Sequence, residues 1–165
     1  MIWRDLNGDG LYQANEYKPT DISKIIYEEN EDRLVLLSGG DCRELEGAEV
    51  YRVDNCKSGN RAAVKVGALG APKPTAFIAE GDCYFDVGLE SRGTTWVHRI
   101  DNSELVGQFM PTTNIGGLDQ TGWVDIGYGV NAHKRKNGEY LILVEDDYLS
   151  KVLLYRWCPT NTCVE

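Results

Sequence analysis

The sequence predicts an all-β protein built from antiparallel strand-hairpin repeats. Three observations predict it. The longest near-apolar runs, Leu34–Leu37 and Tyr140–Val144, are strand-sized and far short of the roughly 20 residues a membrane helix needs. Eighteen glycines, nine tyrosines and four tryptophans supply turn formers and strand-favouring aromatics. A strand–turn–strand pattern also recurs three times. The chain has 165 residues, enough for one good-sized domain. Its 42% apolar content allows an ordinary core. Its net charge of −9 argues against a cationic nucleic-acid binder, which would grip phosphates through Lys and Arg.

The first element is a loop. Asp5-Leu6-Asn7-Gly8-Asp9-Gly10-Leu11-Tyr12-Gln13-Ala14-Asn15-Glu16 fits the pattern D-x-[DN]-x-[DN]-G-x5-E without a mismatch. A hard cation wants six to eight oxygens at about 2.3–2.6 Å. Side chains of Asp5, Asn7 and Asp9 alternate so that their oxygens converge. Gly10 permits the sharp turn, Leu11 offers its carbonyl, Gln13 binds directly or through water, and Glu16 closes the cage with two oxygens. Ca²⁺ is the expected cofactor. Ile2-Trp3-Arg4 is too short for an entering helix, and Pro19 stands where an exiting helix needs a backbone N–H. A structural calcium clip between β elements is therefore expected, rather than a sensor that swings a helix pair.

Trp3 to Glu16 is similar to dockerin loops and to the strand–loop motif of secreted adhesin repeats. The dockerin likeness ends with the loop, because flanking helices and a second copy are missing. The adhesin likeness ends at Tyr17-Lys18-Pro19-Thr20, where a Gly-initiated strand belongs. The segment also resembles calcium loops inserted in blades of secreted bacterial β-propellers of the NHL type. That resemblance extends over most of the chain and implies a propeller.

The acidic stretch 21–32 carries Ile22, Ile25 and Ile26 at a spacing that allows one short helix. Repeat-like units then occupy about 21–66, 75–110 and 120–158. In each, an apolar strand leads through a polar turn to a strand ending aromatic-Arg. The pairs Tyr51-Arg52, His98-Arg99 and Tyr155-Arg156 stand in equivalent places, with the arginines 47 and 57 residues apart. Trp3-Arg4-Asp5-Leu6 is echoed by Trp123-Val124-Asp125-Ile126. A period near 40–50 built from short strands is what propeller blades give. On this reading the chain holds about three to four blades of a larger propeller; the alternative is a β-sandwich. Gly67, Gly70, Ala71, Pro72 and Pro74 mark a linker between units, and 112–117 a second loop. Lys136-Asn137-Gly138-Glu139 predicts a two-residue hairpin turn of type I′.

Five cysteines are present. Cys158 and Cys163 bracket a loop that a disulfide would close, Cys42 and Cys56 flank a predicted hairpin and are expected on neighbouring strands as a second disulfide, and Cys83 is left over. No spacing suits zinc or covalent haem. No basic-then-apolar leader follows Met1. With the cysteines and the calcium motif, this suggests the mature form, or a segment, of a longer secreted protein.

Other candidates are local. His133-Lys134-Arg135-Lys136 is the basic cluster, read as a solvated hairpin face. His98 is read as a packed strand residue, and Glu145-Asp146-Asp147 as turn carboxylates. Trp3, Trp96, Trp123 and Trp157 are read as core. No nucleophile elbow, P-loop or dinucleotide fingerprint is present. The leading functional expectation is an extracellular, cell-surface or periplasmic calcium-stabilised structural and interaction module with protein partners. Two alternatives accompany it. One is a propeller hydrolase or lyase on a lactone, ester or glycan, with His98, Asp101 or Asp125 lining a channel. The other is a carbohydrate- or matrix-binding module.

Overall fold

The computed structural model describes residues 2–3, 17–18, 21–40, 45–57, 63–88, 94–109, 114–115, 118–119, 129–146, 151–159 and 163. Among them there is no helix. Two short hairpins pair β1 (Ile2–Trp3) with β2 (Tyr17–Lys18) and β11 (Asn114–Ile115) with β12 (Leu118–Asp119). Everything else belongs to three antiparallel sheets, each a meander in chain order. The first holds β3 (Ile22–Glu28), β4 (Arg33–Ser38), β5 (Glu49–Asp54) and β6 (Val64–Ala68). The middle sheet holds β7 (Pro74–Glu80), β8 (Cys83–Gly88), β9 (Thr95–Arg99) and β10 (Leu105–Phe109). The last holds β13 (Val130–Lys134), β14 (Tyr140–Asp146) and β15 (Lys151–Trp157).

The sheets stack face to face. Val35, Leu37 and Val50 of the first sheet pack against Phe77, Ala79 and Tyr84 of the middle one. The opposite face of the middle sheet, through Cys83, Phe85, Val87 and Val97, packs against Ala132, Tyr140, Ile142 and Val144 of the last. The middle sheet is thus covered on both faces, and β8 is buried at all six positions. The first strands lie together, with β7 beside both β3 and β13. This is a three-layer stack, one layer more than a sandwich of two sheets, and the chain completes each sheet before starting the next. Successive propeller blades pack in this way.

The arginine echo has a structural meaning. Arg52, Arg99 and Arg156 lie on the third strand of their sheets. Arg52 shares a face with Val50, and Arg99 with Val97, the faces turned toward the following sheet. Tyr155 packs into the core beneath the last sheet, so Arg156 projects from the opposite face, as its two counterparts do. Register is not repeated: the three arginines stand opposite Val35, Cys83 and Leu141.

Three expectations are corrected. Residues 22–28 form a strand instead of a helix. Their β-branched isoleucines pair with β4, and period two prevails: Ile26 packs inward while Ile25 stands 59% exposed on the other face. The 136–138 turn is a three-residue loop closed by Arg135 N–H to the Glu139 carbonyl at 2.7 Å, not a two-residue type I′ turn. Only Gly138 takes a positive φ there, +86°, so one glycine suffices. Cys56 is a free thiol with its Sγ 3.2 Å from the Val53 carbonyl, so it is not bridged to Cys42; Cys83 is free and buried, and Cys158–Cys163 form the disulfide.

Candidate functional sites

The calcium ligands read from the sequence, Asp5, Asn7, Asp9, Leu11, Gln13 and Glu16, lie outside the described residues. The flanks of that segment are described. Ile2 pairs with Lys18 and Trp3 with Tyr17, so the strands that precede and follow the motif pair with each other. Glu145 is exposed, the side chain of Asp146 and all of Asp147 fall outside the described residues, and no cluster of three or more metal-ligating side chains occurs among the described residues.

The basic cluster is largely neutralised within the fold. Lys134 Nζ reaches Asp82 at 2.6 Å, Arg135 reaches Glu139 at 2.7 Å, and His133 Nδ1 lies 3.6 Å from Glu80. Arg156 binds the same Glu139 at 2.7 Å, and the two guanidiniums hold that carboxyl below the ordinary carboxylate range. Trp157 lies against the rings of Phe85 and Tyr140. Trp96 is half-buried. The side chain of Trp3 and all of Trp123 lie outside the described residues, as does Asp125.

A buried polar network at the join of the first and middle sheets is the most constructed feature among the described residues. Residues 69–73 connect β6 to β7. Asp86, in the middle of β8, is 0% exposed. Its Oδ2 accepts the connector N–H groups of Gly70 at 2.9 Å and Ala71 at 2.6 Å. Its Oδ1 faces His98 Nε2 at 3.5 Å, and neither atom has another partner among the described residues. His98 Nδ1 lies 3.2 Å from the Ser103 carbonyl, and the imidazole stacks on Tyr84 with ring centroids 4.9 Å apart. The Tyr84 hydroxyl donates to the Ala68 carbonyl at 2.9 Å and also meets Ser103 Oγ. Burial pushes Asp86 up to about 7, Tyr84 up to about 12, and His98 below its ordinary value. His98 therefore lies on β9, on the face turned toward the first sheet. Asp101 is exposed in the turn after β9.

Sequence reasoning passed over Asp86. The signal was present: Cys83-Tyr84-Phe85-Asp86-Val87 shows no apolar–polar alternation, as befits a strand covered on both faces. A polar residue in such a run has no solvent face.

A buried ion pair, Arg33 Nε to Glu28 Oε2 at 2.7 Å, also ties the first two sheets, because the same guanidinium donates to the Gly81 carbonyl. Lys24 does likewise to the Phe77 carbonyl. No protein-family model, characterised protein or solved structure matches this chain.

Proposed function

We propose that this chain is a calcium-stabilised structural and interaction module, part of a larger propeller of the NHL type in an extracellular or cell-surface assembly. One observation carries the reading: both ends of the sheet stack present apolar faces to solvent. Ile25 and Tyr27 on the outer face of the first sheet, and Leu143, Val152 and Leu154 on the outer face of the last, are between 42% and 65% exposed. The inner faces of the same sheets are packed against the middle sheet, so each end face is of the kind that a further sheet would cover. Protein chains are the expected partners, with a glycan as an alternative ligand. The Cys158–Cys163 disulfide supports an oxidising compartment.

The calcium part rests on the complete donor set in residues 5–16 and on the paired strands at its foot. Bound Ca²⁺ would neutralise converging carboxylates and favour the folded state by mass action, by about 2.7 kcal/mol at a hundredfold excess over Kd. The test is thermal melting of the full chain in Ca²⁺ and in EDTA, with native mass in each. The expected result is a melting temperature about 5–10 °C higher with Ca²⁺. One Ca²⁺ should be retained per chain, and assemblies should be larger than one chain. An unchanged melting temperature would overturn the calcium reading. A stable, strictly monomeric chain in both conditions would overturn the assembly reading.

A further inference from the structure

We propose that the connector between the first and middle sheets is latched by a single proton shared between Asp86 and His98, and that loss of this proton loosens the join.

The argument begins with which atoms can donate. The Ser103 carbonyl can only accept, so His98 Nδ1 at 3.2 Å carries a hydrogen. Asp86 Oδ2 is committed as acceptor to Gly70 and Ala71. What remains is Oδ1 facing Nε2 at 3.5 Å, both buried and both otherwise without partners among the described residues. With no proton between them, two lone-pair atoms confront each other away from water, and a carboxylate is buried without a cation. With a proton on each, two donors collide. One proton satisfies both atoms, whether it sits on the acid beside a neutral imidazole or on the imidazolium beside a carboxylate, and either arrangement is neutral overall.

The surroundings leave little room for escape. A Cβ on Gly70 would fall 2.5 Å from His98 Nε2, so the connector backbone lies directly on the ring. The ring is also stacked on Tyr84. Among the described residues, the groups facing the pair are few. Strand β8 contributes Tyr84, which is titratable but stays protonated to about 12. The connector contributes its N–H groups, and the β9–β10 turn contributes the Ser103 carbonyl. Burial pushes Asp86 up to about 7 and His98 down, which puts the shared proton on the acid.

The sign of the pH effect follows. Unfolded, the two groups titrate near 3.9 and 6.5. Between those values the unfolded chain holds one proton on the two groups, as the folded chain does, so the pair adds no slope. Above about 6.5 the unfolded chain holds none, while the folded pair keeps its proton until about 7. Stability present below 6.5 is therefore lost as pH rises through this window. Below about 4 the unfolded chain takes up a second proton that the folded pair refuses, and stability falls again.

The test uses the full chain and Asp86→Asn. An asparagine carbonyl keeps the acceptor for Gly70 and Ala71, and its amide, which does not titrate, donates to Nε2 of the neutral imidazole. Denaturant midpoints between pH 6 and 8, with amide exchange at Gly70 and Ala71, form the first readout. The wild type should lose midpoint as pH rises, and protection at the two amides should drop several-fold beyond the intrinsic change. Asp86→Asn keeps a neutral imidazole when folded and an unfolded one that titrates near 6.5, so this site should add rather than remove midpoint as pH rises, with no such drop in protection. Equal pH dependence in both proteins would overturn the proposal. Nitrogen-15 shifts of the His98 ring in the wild type are the second readout, decisive even where the variant does not fold. A hydrogen on Nδ1 throughout, with an Nε2 signal that changes near pH 7, supports the latch. A neutral ring protonated on Nε2, or a signal unchanged from pH 6 to 8, overturns it.

Discussion

Between the first and middle sheets, buried polar groups sit among the apolar ones. Arg33 and Glu28, Lys24 on the Phe77 carbonyl, and the Asp86–His98 pair cross or border that join. Between the middle and last sheets the core is apolar, with Phe85 against Tyr140 and Trp157 and with Ile142 and Val144 beneath. The polar ties there lie at its margin: Lys134 to Asp82, and the Asp82 N–H to the Tyr140 hydroxyl at 3.1 Å. The same backbone arrangement is therefore held by two chemistries. Apolar burial is non-directional and insensitive to pH, whereas each buried polar group demands a partner at a set distance and responds to protonation.

The largest expected effect comes from the apolar join. Phe85→Ala should cost about 3–5 kcal/mol in urea unfolding, by the same amount at pH 6 and pH 8. A cost that varied with pH would show that the two joins do not act separately. Next, Gly70→Ala drives a methyl against the His98 ring, which is already stacked on Tyr84. It should cost about 1–3 kcal/mol by overpacking and should abolish the difference between wild type and Asp86→Asn in pH response. The smallest effect on folding is expected at an end face. Leu154→Thr removes an exposed leucine, so its stability change should stay within about 0.5 kcal/mol while the native mass distribution shifts toward single chains. Unchanged assembly would mean that this face is not the docking surface.

Much of the fold was legible because it rests on short-range pattern. The apolar strands of β4, β8 and β14 and the aromatic-Arg endings of β5, β9 and β15 mark each hairpin in the sequence. The isoleucines at 22, 25 and 26 misled because a spacing of three and four also fits a strand whose outer face is apolar. Ile25 and Tyr27 lie on that outer face. The Asn137-Gly138 turn misled because that dipeptide also serves a three-residue loop with only the glycine left-handed. The buried pair was the hardest to see. Asp86 and His98 are twelve residues apart, and their meeting with Gly70 depends on how one sheet stacks on the next, which no local pattern encodes. The calcium motif is the opposite case: its spacing is its chemistry, so the six proposed ligands are read from the sequence alone.

Cys83 lies inside the apolar join, hydrogen-bonded to the Tyr140 hydroxyl, and burial pushes its thiol up to about 11. A thiol in that state scarcely reacts with alkylating or disulfide reagents, since the thiolate is the nucleophile and the sulfur is covered. Cys56, half-exposed on the first sheet, has no such shelter. The chain thus contains its own clock: Cys56 marks when reagent arrives, and the lag before Cys83 reacts measures how often the middle and last sheets part.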